Sequence, residues 1–500
     1  MEPFEEMNKT ILGILIPLLL TACTASRKIR AVPNIAPTAL QEDYQVFRTL
    51  LESTHPSTYW YSSKKTMDSV FDWGMTQLTD SMNERNFRKL LSYVYAHVHC
   101  GHSTIRSSKY YSRQVDTLRQ LSFPLRIKTW GDTTVVTANL NRRDTLLVRG
   151  TPLTHIDGIP IRTLVDTLAQ FLSSDGYSFT HKYQSLSSGG NFASLYTTVF
   201  GIKNKYRIGY LDESGKEKEV IIPVFDPRKD SLFRRGIAQM RRPPKSERKQ
   251  QERDNSRQLL FADPDSTGYM TLNSFSNGYG LKKFFRRSFR ALRQQKTKNL
   301  VIDVRGNGGG NVGNSTLLTK FIARQPFRLA DSLYAIRKNP PYGKYVQNNF
   351  FNKLFLLFFT KKRADGYYHF GFYEKHHFKP KQKNRFSGHV YIVTGGNSFS
   401  ATTLFAGTLR EQENVTIIGE ETGGAAYGNS AWLIPYVTLP HSKVRFRLPL
   451  FRLVTHPLKP KDGKGVQPEI FVGPSVEAIR NGLDYKIEAV KKRILASLAP

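Results

Sequence analysis

The stretch 299–310, NLVIDVRGNGGG, constrains this chain more than any other. Leu300, Val301 and Ile302 follow one another with no polar alternation, so a strand here must be covered on both faces, as in a buried parallel sheet. Parallel strands need long crossovers, usually helical. The neighbouring pattern supplies them: 269–272 opens a strand, 280–295 reads as a basic amphipathic helix, 313–323 is helical, 389–394 (HVYIVT) is a strand, 401–410 a helix and 415–419 a strand. Alternation of this kind implies an α/β core with right-handed connections. The glycines that follow the first apolar run tolerate positive φ and turn successive N–H groups toward one spot.

Five hundred residues exceed what one core holds, so further domains are expected around this one. In 39–92 the apolar residues Leu40, Tyr44, Phe47, Leu50 and Leu51 fall at helical spacing before Pro56, and 83–98 repeats the pattern. Residues 39–110 are therefore expected to form a helical N-terminal cap. Alternating stretches (TTVVTA, KEVIIPV) make 111–228 β-rich. Within it, GTPLTHIDGIPIRTL resembles the strand, Asp-Gly turn and helix that end a PDZ domain, with a generic strand-turn-helix as the plainer reading. Residues 229–262, which include MRRPPKSERKQQERDNSR, read as a charged linker. The α/β core is then expected at 263–474, interrupted by an insertion at 324–387, and a terminal helix at 475–500. The insertion carries FFNKLFLLFFT followed by Lys361, Lys362 and Arg363. A lid, an interfacial helix and a satellite hydrophobic cluster are the three readings of that stretch.

Residues 11–22 (ILGILIPLLLTA) are apolar but too short to span a bilayer, and suit the apolar region of an export signal. Leu20-Thr21-Ala22-Cys23 resembles a lipobox, which makes Cys23 a lipidation site, 1–23 a lipoprotein signal peptide and 24–38 a tether. The acidic residues before Lys9 are unusual for an export signal, and a start at Met7 removes them. A cell-envelope, lipid-anchored location follows, with the membrane as a partner. With only Cys23 and Cys100 there is no disulfide framework. The net charge of +34 favours anionic surfaces, but it is spread along the chain and no nucleic-acid motif accompanies it. Nucleic acid is not an expected partner.

Two further segments carry chemistry. In 394–407 (TGGNSFSATTLFAG) a strand ends, small residues turn and a helix begins at Ser400. That arrangement sets a serine hydroxyl beside the partial positive charge of a helix N-terminus, where an oxyanion can be held. Ser398 is the competing nucleophile, and a helix-capping serine is the plainer reading. The segment 97–103 (HVHCGHS) supplies candidate bases. His97, His99, His102 and Cys100 also read as a loose zinc-binding set.

Taken together these segments resemble the C-terminal-processing (tail-specific, tricorn-like) serine peptidase family. Its Asp-x-Arg-x-Asn-x-Gly-Gly is matched by Asp303, Arg305, Asn307, Gly309 and Gly310, its serine turn by Ser400-Ala401 with Ala406-Gly407, its Gly-Glu by Gly419-Glu420, and its Gly-Val-x-Pro segment by Gly465-Val466-Gln467-Pro468-Glu469. The resemblance implies a ClpP/crotonase-like peptidase core, no cofactor or metal, and a polypeptide substrate. It implies Ser400 as nucleophile and the N–H groups of Ala401 and Gly309 as oxyanion donors. One branch of the family uses lysine as base, but its place in 419–428 (GEETGGAAYG) holds Ala425. The histidine branch carries Gly-His-Thr/Ser, matched by Gly101-His102-Ser103, which makes His102 the base. The carboxylate that orients it is then expected at Asp462, with Glu420 and Glu469 as rivals. Asp303 and Arg305 are expected to hold the glycine turn. A non-catalytic peptide-binding lipoprotein on the same fold is the alternative.

Overall fold

A computed structural model of the protein describes residues 33–114, 120–231, 234–235, 243–262 and 267–498. Cys23 and the apolar run before it lie outside these residues. At the centre is a six-stranded sheet in the order Ile470–Phe471, Val415–Gly419, His389–Thr394, Asn299–Asp303, Thr267–Leu272, Arg257–Ala262. All its pairings are parallel except the last, an antiparallel pair at the edge. The strand read from the unbroken apolar run is covered on both sides. Leu300 and Ile302 enter a core with Phe285, Phe289, Leu318 and Phe405 from the crossover helices Leu281–Gln294, Val312–Ile322 and Ala401–Leu409. Val301 faces the other way, toward Val490 and Ile494 of the last helix. The terminal helix is two, Val476–Asn481 and Tyr485–Leu498, because Gly482 takes the left-handed conformation that ends the first.

The 229–262 linker differs from the expectation. Lys245–Ser256 is a helix, polar on every face and exposed up to Ser256, and Arg257–Ala262 is the edge strand of the central sheet. High charge in this stretch marks a solvated helix and a sheet edge that solvent covers on one side.

Residues 120–225 form a unit with its own core, built on Phe123, Leu125, Ile156, Leu164, Tyr206 and Ile208. Its four-stranded sheet runs in the order Ile159–Pro160, Leu153–Ile156, Lys205–Leu211, Glu217–Pro223. The Asp-Gly turn read from sequence joins the first two of these in space. Asp157 and Gly158 both have positive φ (52° and 81°), as a tight hairpin turn requires.

The N-terminal cap contains three helices, Pro37–Thr54, Lys64–Thr76 and Glu84–Ala96. It is not a separate domain. Tyr44, Phe47, Leu50, Leu91 and Tyr95 share one core with Leu333, Val437, Phe446 and Phe451, from the far end of the chain. The 324–387 segment is likewise structural: Ala330–Ala335 pairs antiparallel with Phe451–Thr455 in a five-stranded sheet over this core. Immediately after His102, the short strand Ile105–Arg106 pairs with Arg445–Arg447, with Ile105 opposite Phe446. Phe446 is fully buried and meets Phe47 edge-on at 5.1 Å. Phe446→Ala is expected to cost about 3–5 kcal/mol. Chemical denaturation should show the N-terminal helices and the C-terminal strands melting in one transition, since they have one core.

Candidate functional site

The glycine turn is built by local hydrogen bonds. Arg305 donates from its backbone and from Nε to the two oxygens of Asp303, at 3.1 and 3.0 Å, and from its guanidinium to Asp484 at 2.5 Å. Both residues have the structural role expected of them. Asn307 is fully buried; its carbonyl accepts from Phe399 N–H at 3.1 Å, tying the turn to the serine segment. Gly309, at φ 96°, lies so close to that segment that a Cβ there would sit 2.7 Å from Phe399 O and 2.8 Å from Ser400 Cβ. No side chain fits at that approach.

Ser400 sits at φ 58°, ψ −121°, a conformation strained for any residue with a Cβ. Strain of this kind costs about 1–3 kcal/mol and persists only where the surroundings enforce it. Here the enforcing groups are the glycine turn on one side and Gly424 on the other, where a Cβ would fall 3.2 Å from Ser400 N. Ser400 precedes the helix Ala401–Leu409, but its hydroxyl does not cap that helix. It meets His102 Nε2 at 3.0 Å. Ser398 is fully buried and committed elsewhere, donating to Val304 O at 2.8 Å and accepting from Gly395 N–H at 3.2 Å. The N–H of Ala401 belongs to the first helical turn, where no intrahelical acceptor exists. The expectation for Gly309 is corrected: its N–H donates to Asn307 Oδ1 at 2.9 Å, because the side chain of Asn307 folds back over the turn. Gly309 permits the close approach to Ser400 and does not present a free donor.

His102 is buried, its ring 4.8 Å from Phe399, whose other neighbour is the stacked ring of His181 at 4.9 Å. Burial, aided by the charges of Arg447, His181 and His55, pushes its imidazole down to about 3. The ring is therefore neutral, and in the tautomer that carries its proton on Nδ1 the Nε2 is an acceptor. Its Nδ1 is buried and makes no hydrogen bond.

None of the three carboxylates expected beside His102 is there. Asp462 is exposed and accepts from Lys464 N–H at 2.9 Å, closing its own turn. Glu420 pairs with Lys486 at 2.7 Å, and Glu469 accepts from Ile417 N–H at 2.6 Å. The carboxylate close to His102 is Asp175, from the middle unit. It accepts from Gly101 N–H at 2.7 Å, its other oxygen is buried with no hydrogen bond, and burial pushes it up to about 7 against the lowering effect of the Gly101 N–H and the charge of Arg452. A carboxylate oxygen of Asp175, a ring nitrogen of His102 and Cys100 Sγ lie within 4.8 Å of one another. Among the described residues these are the ones that could hold a metal. The His97, His99, His102 and Cys100 set does not converge, because His97 and His99 bond instead to the carbonyls of Tyr93 and Gly176, at 2.9 and 3.1 Å.

Asp175 and His181 escaped the sequence reading because neither stands in a recognisable pattern. The only signal was the polar, small-residue break SSDGYS inside a β-rich region. In the fold that break docks onto the histidine loop: Gly176 N–H donates to His99 O and Tyr177 N–H to Gly463 O, each at 3.0 Å. The loop of Asp462 thus reaches the site through its backbone, and its side chain points elsewhere.

Residues 266–472 match peptidase family S41. Over 159 residues the chain is 24% identical to the carboxy-terminal processing protease CtpB of Bacillus subtilis (strain 168), covering 32% of this chain and 25% of that protein. The chain therefore aligns with about a quarter of that relative's length. Among solved structures, mature CPAF complexed with lactacystin superposes with a TM-score of 0.62 at 13% identity, over 92% of this chain and 98% of that one. Mature CPAF alone gives 0.61 at 14% identity, over 92% and 96%. At this identity the likeness is one of fold, a mixed α/β multidomain architecture. The glycine turn, the Ser400 turn and the Gly465–Pro468 segment all lie inside the region that matches peptidase family S41.

Proposed function

We propose that the chain is a serine endopeptidase in which Ser400 and His102 act as a pair. The observation that carries this reading is the 3.0 Å contact between Ser400 Oγ and a neutral, buried His102 Nε2. Ser400 Oγ bonds to the peptide carbonyl carbon while its proton passes to Nε2. The carbonyl oxygen takes the negative charge and is held by the Ala401 N–H at the helix N-terminus. The imidazolium then gives its proton to the leaving amine, and water, deprotonated by the same ring, releases the acyl group. A silent site on the same fold is not favoured, since its two reacting groups would have no reason to be held in contact.

The proton on Nδ1 needs an acceptor, because a buried unpaired donor costs about 1–3 kcal/mol. Asp175 has a buried oxygen with the complementary lack. It therefore takes the orienting role expected of Asp462. The middle unit, read as PDZ-like from its strand, turn and helix, would bind substrate near the same loop. Lipidation at Cys23 would hold the enzyme in the cell envelope, where polypeptides of that compartment are the substrates.

Two outcomes test the reading. Ser400→Ala should abolish both labelling by a serine-directed phosphonate and cleavage of unstructured peptides, while Ser398→Ala retains labelling if it folds; cleavage by Ser400→Ala equal to wild type rejects the assignment. For Asp175, held protonated up to about pH 7, ionisation on raising the pH supplies the charge that stabilises the imidazolium. The kcat/KM of the wild type should rise with pH through about 7. Asp175→Asn should lose that limb and lower kcat by roughly 10²–10⁴-fold, as read from pH–rate profiles.

A further inference from the structure

The helix Asn349–Phe359 lies against the shared N-terminal core through Leu356 and, in part, Phe355. Its remaining large side chains have no such cover. Phe350, Phe351, Leu357, Phe358 and Phe359 are each 57–73% exposed. Isolated exposed apolar residues are ordinary, but five within eleven residues form a patch that calls for a partner. The patch continues beyond the helix. Phe355 meets Phe359 at 5.0 Å and Phe370 at 5.4 Å, and Phe370 meets Phe372, itself half exposed, at 6.5 Å.

The charge around this patch is of one sign. Residues 332–388 contain twelve Lys and Arg and only two acidic residues, Asp365 and Glu374. Both acids already have partners: Asp365 contacts His369 at 2.8 Å, and Glu374 contacts His369 at 2.7 Å and pairs with Arg363. That leaves Lys361, Lys362 and Lys375 exposed beside Phe359 and Phe372, around one shallow depression. A helix of eleven residues is roughly 16 Å long, about half the hydrocarbon thickness of a bilayer. It can lie in a membrane surface and cannot cross it.

We propose that this face docks on an anionic phospholipid bilayer, with the aromatic side chains entering the acyl boundary and the lysines meeting the headgroups. Aromatic insertion beside a basic rim is the pattern of an interfacial helix, and lysines near an anionic surface add electrostatic attraction. Charge separates this occupant from a second copy of the chain. A two-fold interface sets the same surface against itself, so Lys361, Lys362 and Lys375 would face their own equivalents with no free acid to meet. The contact belongs to the folded domain and is independent of any lipid on Cys23. It would fix the orientation of the domain on a membrane.

Hydrogen–deuterium exchange of the full chain, resolved by peptide, tests this whatever else holds the protein to the vesicle. Amides of 350–363 should slow by roughly tenfold with vesicles containing phosphatidylglycerol, and by much less with phosphatidylcholine alone. The double variants Phe350→Ser/Phe358→Ser and Lys361→Glu/Lys362→Glu alter exposed side chains, so their thermal midpoints should match wild type while the protection is lost. Unchanged exchange of 350–363 on anionic vesicles overturns the proposal. So does protection that appears without vesicles and grows with protein concentration, which identifies a second copy as the occupant. Protection equal on neutral and anionic vesicles removes the role given to the lysines and overturns it as well.

Discussion

Phe47 packs edge-on against Tyr95 at 5.4 Å and against Phe446 at 5.1 Å. That triple contact joins the first helix, the third helix and a strand from the last fifth of the chain. The site depends on it. His102 leaves the third helix by a short loop and is followed at once by the strand that pairs with Arg445–Arg447. The position of the imidazole is therefore set by the packing of the N-terminal helices on C-terminal strands. Burial of large aromatic side chains stabilises such a contact by several kcal/mol, enough to hold a loop whose own polar groups favour solvent.

Around this joint the chain concentrates two costs. One is the backbone of Ser400, kept at positive φ by the glycine turn and by Gly424. The other is a group of ionisable side chains with little solvent: His102, His55, Asp175 and the fully buried Arg452, whose guanidinium lies 4.0 Å over the ring of Trp60. Burial moves each histidine toward neutrality and the aspartate toward protonation. A neutral imidazole in contact with the serine is what the proposed hydroxyl nucleophile requires, so the same desolvation that weakens the fold would prepare His102 for the proposed role of base.

The middle unit is part of this arrangement. Its 174–177 segment lies between the histidine loop and the loop of Gly463, and a Cβ on Gly176, at φ 60°, would sit 2.4 Å from Gly463 O. Three loops from three regions thus stack through backbone contacts, and Asp175 enters the site as a by-product of that stacking. The unit whose sequence resembles a PDZ domain thus also supplies a side chain close to His102.

Local pattern determined four strands of the central sheet, its crossover helices, the glycine turn and the Asp-Gly hairpin, and a motif resemblance singled out the serine and histidine that meet. Each is encoded by contiguous residues: an unbroken apolar run, a helical spacing, a turn dipeptide, a short motif. The charged stretch 240–257 misled because polarity all round is common to linkers and to solvated helices, and sequence does not separate them. The carboxylate was beyond reach for a different reason. Asp462 stands next to the matched Gly-Val-Gln-Pro segment, and nothing in the chain records that its oxygen closes a turn at Lys464. Asp175 stands in no motif, 73 residues from His102 along the chain. Only tertiary structure could bring it there, because its place is fixed by burial and by backbone hydrogen bonds between distant loops, and these leave no periodic trace in the amino-acid order.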